Sequence, residues 1–234
     1  MSVPENIARI QEQMATAAKR AGRHVQDVSL MAVSKTFPPE AIQHAYRSGI
    51  RIFGESKVQE FGSKVGALAN LEDAEWHMIG HLQTNKAGKA VELFSAVDSL
   101  DSLRLAEKLN SAAKQLGKKL AVLIEINVGG EVGKSGIAPD SPELEEILQA
   151  AHKLDHLEFR GLMTVPPFME NPEGARPYFR RVRELRDQIA SRHFHSINMD
   201  TLSMGMSHDF EAAIEEGATC VRVGTAIFGE RPKA

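Results

Sequence analysis

Cysteine is almost missing from this chain, with one residue, Cys220, in 234. An internal disulfide is therefore excluded, and so is a cysteine-rich metal site. Cys220 falls in a strand pattern, where a lone cysteine serves as a small buried apolar residue. Metal-binding histidine patterns are equally scarce. There is no HExxH, and His152 and His156, spaced i, i+4, stand in an otherwise charged helix that reads as solvated. His193-Phe194-His195 lies near a helix end, where it suits the helix dipole. No metal is expected. Charge of one sign is also lacking: the formal net charge of −3 offers no electrostatic case for nucleic acid or an anionic membrane as partner. No apolar run approaches a membrane span, and the first residues hold no apolar signal core, so a cytoplasmic protein is expected. What remains, 42% hydrophobic and 25% charged, is the composition of an ordinary globular protein with a sizeable core.

The apolar pattern is repetitive. Residues 4–21 read as an amphipathic helix with Ile7, Ile10, Met14 and Ala18 on one face, stopped by Gly22. A strand-and-helix unit of about 25 residues then recurs. Strands are expected at 28–33, 51–54, 75–80, 95–98, 120–128, 157–163, 199–204 and 220–223. Helices are expected at about 38–48, 56–68, 85–93, 102–116, 142–154, 175–192 and 209–216. Eight such units suit an α/β protein built as a (β/α)₈ TIM barrel, a fold of typically ~250 residues. A doubly wound open sheet is the runner-up. No linker or composition break divides the chain, so one domain over 1–234 is expected, with the extra N-terminal helix capping the bottom of the barrel.

A barrel places functional residues where strands end, and phosphate after strands 7 and 8. At those places stand Lys35, Gly54-Glu55-Ser56, Gly80-His81, Asn127, Met163, Ser203-Met204-Gly205-Met206-Ser207 and Gly224-Thr225. Val221 and Val223 on the last strand point one way and Arg222 the other. A buried Arg needs a partner, and the small residues after it leave N–H groups free for an anion. Taken alone, that segment reads as an ordinary last strand with a salt-bridged Arg and a loop Gly. Lys35 taken alone reads as a solvated strand-end lysine. Together they say more, because strands 1 and 8 are neighbours in a closed barrel. Lys35 then reaches a ligand whose phosphate sits after strands 7 and 8, and a lysine near Arg222 has a lowered pKa and condenses with carbonyls. A phosphorylated aldehyde such as pyridoxal 5′-phosphate satisfies all of these groups. Glu125 and Asn127 share the inner face of strand 5, where they either line the site or balance Arg222. The glycine-rich Gly129-Gly130-Glu131-Val132-Gly133-Lys134-Ser135 fails the P-loop spacing and reads as a plain loop.

Six stretches carry a family likeness: 32–36 (AVSKT), 53–60 (FGESKVQE), 76–86 (WHMIGHLQTNK), 161–163 (GLM), 202–209 (LSMGMSHD) and 221–229 (VRVGTAIFG). With them in this order, the chain resembles the pyridoxal phosphate homeostasis protein family over nearly its whole length. The resemblance implies the barrel of the alanine racemase N-terminal domain without its second, β-rich domain. It implies pyridoxal phosphate on Lys35 as an internal aldimine, the phosphate held by Ser203, Gly205, Met206 and Ser207 with Gly224 and Thr225, and Arg222 facing the pyridine nitrogen. Many members have Asn-Tyr after the Gly-Glu of the second motif; here Ser56-Lys57 stands there, which leaves Ser56 as the candidate contact to the ring. No catalytic residue is assigned, since the two tyrosines, Tyr46 and Tyr178, lie at no strand end. The implied role is a Schiff-base holder that buffers the cofactor and passes it to apo-enzymes, expected to act as a monomer. A small amino-acid racemase is the alternative, and a cofactor-free Schiff-base aldolase the second.

Overall fold

The computed structural model describes residues 2–131, 133 and 135–230. Val132 and Lys134 of the rejected P-loop lie outside the described residues. Eight parallel strands close in chain order into a barrel: β1 (Ser29–Val33), β2 (Ile52–Glu55), β3 (Glu75–Met78), β4 (Ala96–Leu100), β5 (Leu120–Ile126), β6 (Leu157–Thr164), β7 (Ile197–Met206) and β8 (Cys220–Val223). β8 pairs back onto β1 with Met31 opposite Arg222, which closes the ring. The open-sheet alternative is excluded. Helices α1 (Val3–Arg20), α2 (Pro39–Arg47), α3 (Val58–Lys64), α4 (Ala87–Leu93), α5 (Leu103–Gln115), α6 (Pro142–Ala150), α7 (Arg176–Ser191), α8 (Phe210–Glu215) and α9 (Thr225–Phe228) surround it.

Alternation builds two cores. On β5, Leu120, Val122, Ile124 and Ile126 join the apolar layer under the helices, while Ala121, Leu123 and Glu125 occupy the opposite, inner parity. The barrel interior is unusually polar, with Asp98, Glu125, Ser203 and Arg222 all buried. Such groups need partners, and those partners define the chemistry below.

Two expectations are corrected. α1 does not cap the bottom of the barrel. It lies on the flank among α2, α8 and α9. Arg20 pairs with Glu211 and Glu215 at 2.7 and 2.6 Å, Arg23 donates to Ile214 O and Ala218 O, and Asn6 donates to Ile227 O. The cause is that α9 is a single turn, so the ring lacks a full helix after β8, and α1 fills that place with buried Ile7, Ile10 and Met14. Each such side chain is worth about 1.5–3 kcal/mol in burial. The second correction concerns His152 and His156, which do not share one helix. α6 ends at Ala150, a 3₁₀ turn follows over Ala151–Lys153, and the two imidazoles bond separately to Gln149 O and Lys118 O. Among the described residues no group of three metal-ligating side chains forms. Cys220 is buried, its thiol pushed up to about 12 chiefly by burial, as an inert core residue should be.

Candidate functional site at the C-terminal ends of the strands

Lys35 sits at the corner of the turn that follows β1. Its neighbour Ser34 is fully buried and Phe37 nearly so, which fixes both flanks of the turn. A cavity of about 290 Å³ opens there, and Lys35, Ser56, Met206, Ser207, Arg222, Gly224 and Thr225 all line it. Seven of the nine residues expected from the sequence thus converge from β1, β2, β7 and β8. The other two lie behind the wall. Ser203 is completely buried and accepts from Arg222 Nη1 at 2.8 Å. Gly205 has φ 91°, and a Cβ there would stand 2.5 Å from the Ala213 Cβ, so glycine alone lets β7 bend against α8. Larger hollows of about 1010 and 570 Å³ lie at the opposite, N-terminal ends of the strands. Size does not decide here, because barrel chemistry is built from the loops at the C-terminal face.

The Ser207 side chain marks an anion-sized focus. Its Oγ accepts from Gly224 N–H at 3.2 Å and Ala226 N–H at 3.4 Å, and the Thr225 hydroxyl lies 3.3 Å away. Two backbone donors and a hydroxyl therefore converge on one oxygen position, at the first turn after β8. Asp209 holds the facing loop: its Oδ1 accepts Met206 N–H at 2.6 Å. Burial raises the Asp209 carboxyl above its ordinary value, while that N–H and Arg222 act the other way.

Arg222 is 3% exposed, donating to Ser203 Oγ at 2.8 Å and Thr164 O at 2.7 Å. None of these partners is a carboxylate. Burial pulls the guanidinium below its usual range, and the fields of Cys220, Asp98, Glu125 and Asp209 act against that pull. Glu125 therefore balances Arg222 through space rather than by contact. Its Oε2 is buried without a partner, and burial, with Asp101 adding, pushes it up to about 7. Asn127, on the same strand face, pins the loop after β5, its side chain accepting Gly130 N–H and donating to Glu131 O. Tyr46 donates to Asp73, and Tyr178 packs on the outer core from α7.

The donor set suits a phosphorylated aldehyde. It offers a primary amine, a buried guanidinium, and a cradle of N–H and hydroxyl groups in one cavity, each matched to one part of such a molecule. The chain matches the family model described as alanine racemase, N-terminal domain, over residues 6–232. It is 46% identical over 231 residues to a pyridoxal phosphate homeostasis protein of Aquifex aeolicus, covering 99% of each chain. The chain belongs to the pyridoxal phosphate homeostasis protein family. Its likeness to the Escherichia coli K12 family member is 41%, over 98% of this chain and 97% of that one. PipY of Synechococcus elongatus PCC7942, solved with PLP bound and also without it, superposes with a TM-score of 0.84 at 34% identity over 97% of this chain and 100% of that chain. Alanine racemase of Clostridium difficile 630 shares the fold, with a TM-score of 0.71 at 17% identity, and this chain spans 58% of it.

Several lining residues escaped the sequence reading. Val33, Phe37, Ile79, Val165 and His208 also face the cavity. Val33 and Val165 were findable, one from inner parity on β1, the other as the residue just past β6. His208 was not, since it is placed by Glu170 O at 3.0 Å and by the Phe168 ring, both on the loop after β6. Below the Lys35 turn lies a buried polar group built on Glu55, a strand-end residue to which the sequence assigned no role. Glu55, fully buried, accepts Ser34 Oγ at 2.6 Å and pairs with Lys64 at 2.9 Å. Burial raises its carboxyl, and Ser34 and Lys64 oppose that.

Proposed function

We propose that this chain binds pyridoxal 5′-phosphate, holds it covalently through Lys35, and serves its intracellular homeostasis by buffering it and passing it to apo-enzymes. The observation that carries this reading is the meeting of Lys35, Arg222, Ser207, Gly224 and Thr225 in one cavity, with the Gly224 and Ala226 N–H groups converging on Ser207 Oγ. Family membership and the PLP-bound relative support it.

In this reading the cradle takes the phosphate, with Gly224 and Ala226 N–H groups and the Ser207 and Thr225 hydroxyls as donors. Lys35 would supply the amine, and Ser56, just past the end of β2, lines the same cavity. Bound there, the group supplies an aldehyde and a conjugated ring that withdraws electrons. Arg222 only donates hydrogen bonds. Facing the ring nitrogen, it would keep a proton off that atom, and the ring would withdraw electrons less strongly than one paired with a carboxylate. Racemisation with such a ring needs a second acid–base group on the opposite face, and neither Tyr46 nor Tyr178 lines the cavity, which favours holding the molecule over transforming amino acids. All named groups come from one chain, so a monomer suffices. The cytoplasm is the site of action in this reading, and no described helix is long and apolar enough to cross a membrane.

The test is the visible spectrum of the purified protein with added pyridoxal phosphate. A yellow protein bleached by borohydride, with a pyridoxyl mass on the Lys35 peptide, is expected. A protein that stays colourless refutes the reading. Sustained α-proton exchange of an L-amino acid in deuterated water, at enzyme-like turnover, would replace the holder with a racemase-like enzyme.

A further inference from the structure

The turn that carries Lys35 is strained and clamped. Phe37 N–H donates to Ser34 O at 3.1 Å, which closes a four-residue turn with Lys35 and Thr36 in the middle. Thr36 has φ 69°, at the position where type II turns take Gly or Asn. Positive φ in a β-branched residue is an outlier. It persists only where the surroundings over-determine it.

The surroundings do so through one buried lysine. Thr36 N–H donates to Glu60 Oε1 at 2.6 Å. Lys64, 8% exposed, donates from Nζ to Ser34 O at 3.2 Å and lies 3.4 Å from Phe37 O, so it grips both ends of the turn. The same ammonium pairs with Glu60 Oε1 at 3.2 Å and with Glu55 Oε1 at 2.9 Å. Glu55 in turn accepts the Ser34 hydroxyl. Burial pushes the Glu60 carboxyl up, but Thr36 N–H and Lys64 outweigh it and hold it below its usual value. Neither Glu55, Glu60 nor Lys64 lines the cavity. Burying an ammonium and a carboxylate is costly, and an apolar pair of similar volume would often be as stable. The arrangement makes sense if it fixes a conformation that the backbone resists.

We infer that Lys64, Glu60 and Glu55 are positioning residues for Lys35. This rests on the reading of Lys35 given above. Condensation requires the neutral Nζ to form a C=N bond to the aldehyde carbon, its two hydrogens leaving with the aldehyde oxygen as one water. An amine on a turn that has one conformation reaches that carbon in one geometry, and small misplacements of a reacting group weaken such steps strongly. The clamp holds the turn from below and touches no part of the ligand.

The test compares Glu60→Gln, Lys64→Met and Lys64→Met with Thr36→Gly. Three readings are taken on each: the pyridoxal phosphate concentration giving half the colour, with its pH profile; affinity for pyridoxine 5′-phosphate, which lacks the aldehyde; and the melting temperature. Glu60 is part-exposed, so its variant folds even if Lys64→Met does not. Both single variants are expected to need about tenfold more pyridoxal phosphate, with a displaced pH profile and unchanged pyridoxine phosphate affinity. Thr36→Gly is expected to recover most of the loss, since glycine holds positive φ without a clamp. Unchanged colour formation, an equal loss for both ligands, or no recovery with Thr36→Gly overturns the inference. If the unaltered protein forms no colour, the reading of Lys35 fails on its own. The clamp is then read from the rate at which trinitrobenzenesulfonate labels Lys35 without cofactor, where equal rates in the unaltered protein and Glu60→Gln overturn it.

Discussion

Replacing Glu125 with Gln is expected to stabilise the protein at pH 8 and to leave it nearly unchanged at pH 4.5. Glu125 is 8% exposed, and its Oε2 has no partner. Its folded pKa is raised from 4.5 to about 7. Below pH 4.5 the folded and unfolded states both hold the proton, and the group contributes no difference. From pH 4.5 to 7 the unfolded chain releases it while the folded chain keeps it, so stability falls as pH rises. Above pH 7 both states are ionised and the full penalty stands. Each tenfold step in that displacement is worth about 1.4 kcal/mol, which gives about 3 kcal/mol in all. Gln keeps the shape and cannot ionise, so the variant lacks this slope. Urea unfolding at pH 4.5, 6 and 8 measures it. The midpoint of the variant is expected to exceed that of the parent by about 1 M at pH 8, with the gap closing towards pH 4.5. A gap that is independent of pH, or that grows as pH falls, refutes the assignment of a buried unpaired carboxyl.

His77 acts in the neighbouring pH range. Burial lowers its pKa, but Asp98 at 3.0 Å and Glu75 outweigh that and hold it at about 9. A raised histidine contributes stability in full below 6.5, lost as pH rises through 9. His77→Gln is expected to flatten unfolding free energy between pH 6.5 and 9, measured by urea unfolding at about pH 6, 7.5 and 9. Ser207→Ala removes the acceptor shared by Gly224 and Ala226 N–H and one donor to a phosphate. Calorimetric affinity for pyridoxine 5′-phosphate is expected to fall about tenfold, or about 1.4 kcal/mol, and an unchanged affinity would move the phosphate elsewhere. Gly205→Ala meets Ala213 Cβ at 2.5 Å with φ 91° and is expected to cost at least about 2 kcal/mol in urea unfolding.

What the sequence disclosed depended on how local each determinant was. β8 falls at Cys220–Val223 as the alternation of Val221, Arg222 and Val223 predicts, and the rim residues follow because a strand end is marked by Gly, Ser and Thr. The position of α1 was not local. It depends on α9 being one turn long, which only the closed ring makes consequential. Glu125 lies on β5 and Asn127 just past its end, so their shared parity in the sequence does not give them one role: Asn127 ties a loop because the chain after β5 folds back to bond Asn127 N–H to Ile137 O, while Glu125 Oε2 stays without a partner. Lys64 was invisible for the same kind of reason. On α3 it looks like any solvated lysine, and only the approach of the turn after β1 gives it two carbonyls and two carboxylates to hold.

The closure of β8 onto β1 has a consequence for the order in which the protein comes into being. Lys35 precedes its proposed cradle in the chain: Gly224, Thr225 and Ala226 come nearly two hundred residues later. The strand that joins them, β8, pairs with β1 from Ser29–Cys220 to Ala32–Val223. The helix that backs the turn after β8, α1, also precedes it in the chain, with Asn6 donating to Ile227 O. Because synthesis runs at about 5–20 residues per second, roughly 10 to 40 seconds separate the amine from the groups proposed to hold its ligand. A nascent chain therefore presents Lys35 as an ordinary lysine. On the proposed function, selective capture would begin only once β8 has closed onto β1, which makes the ligand a reporter of barrel closure.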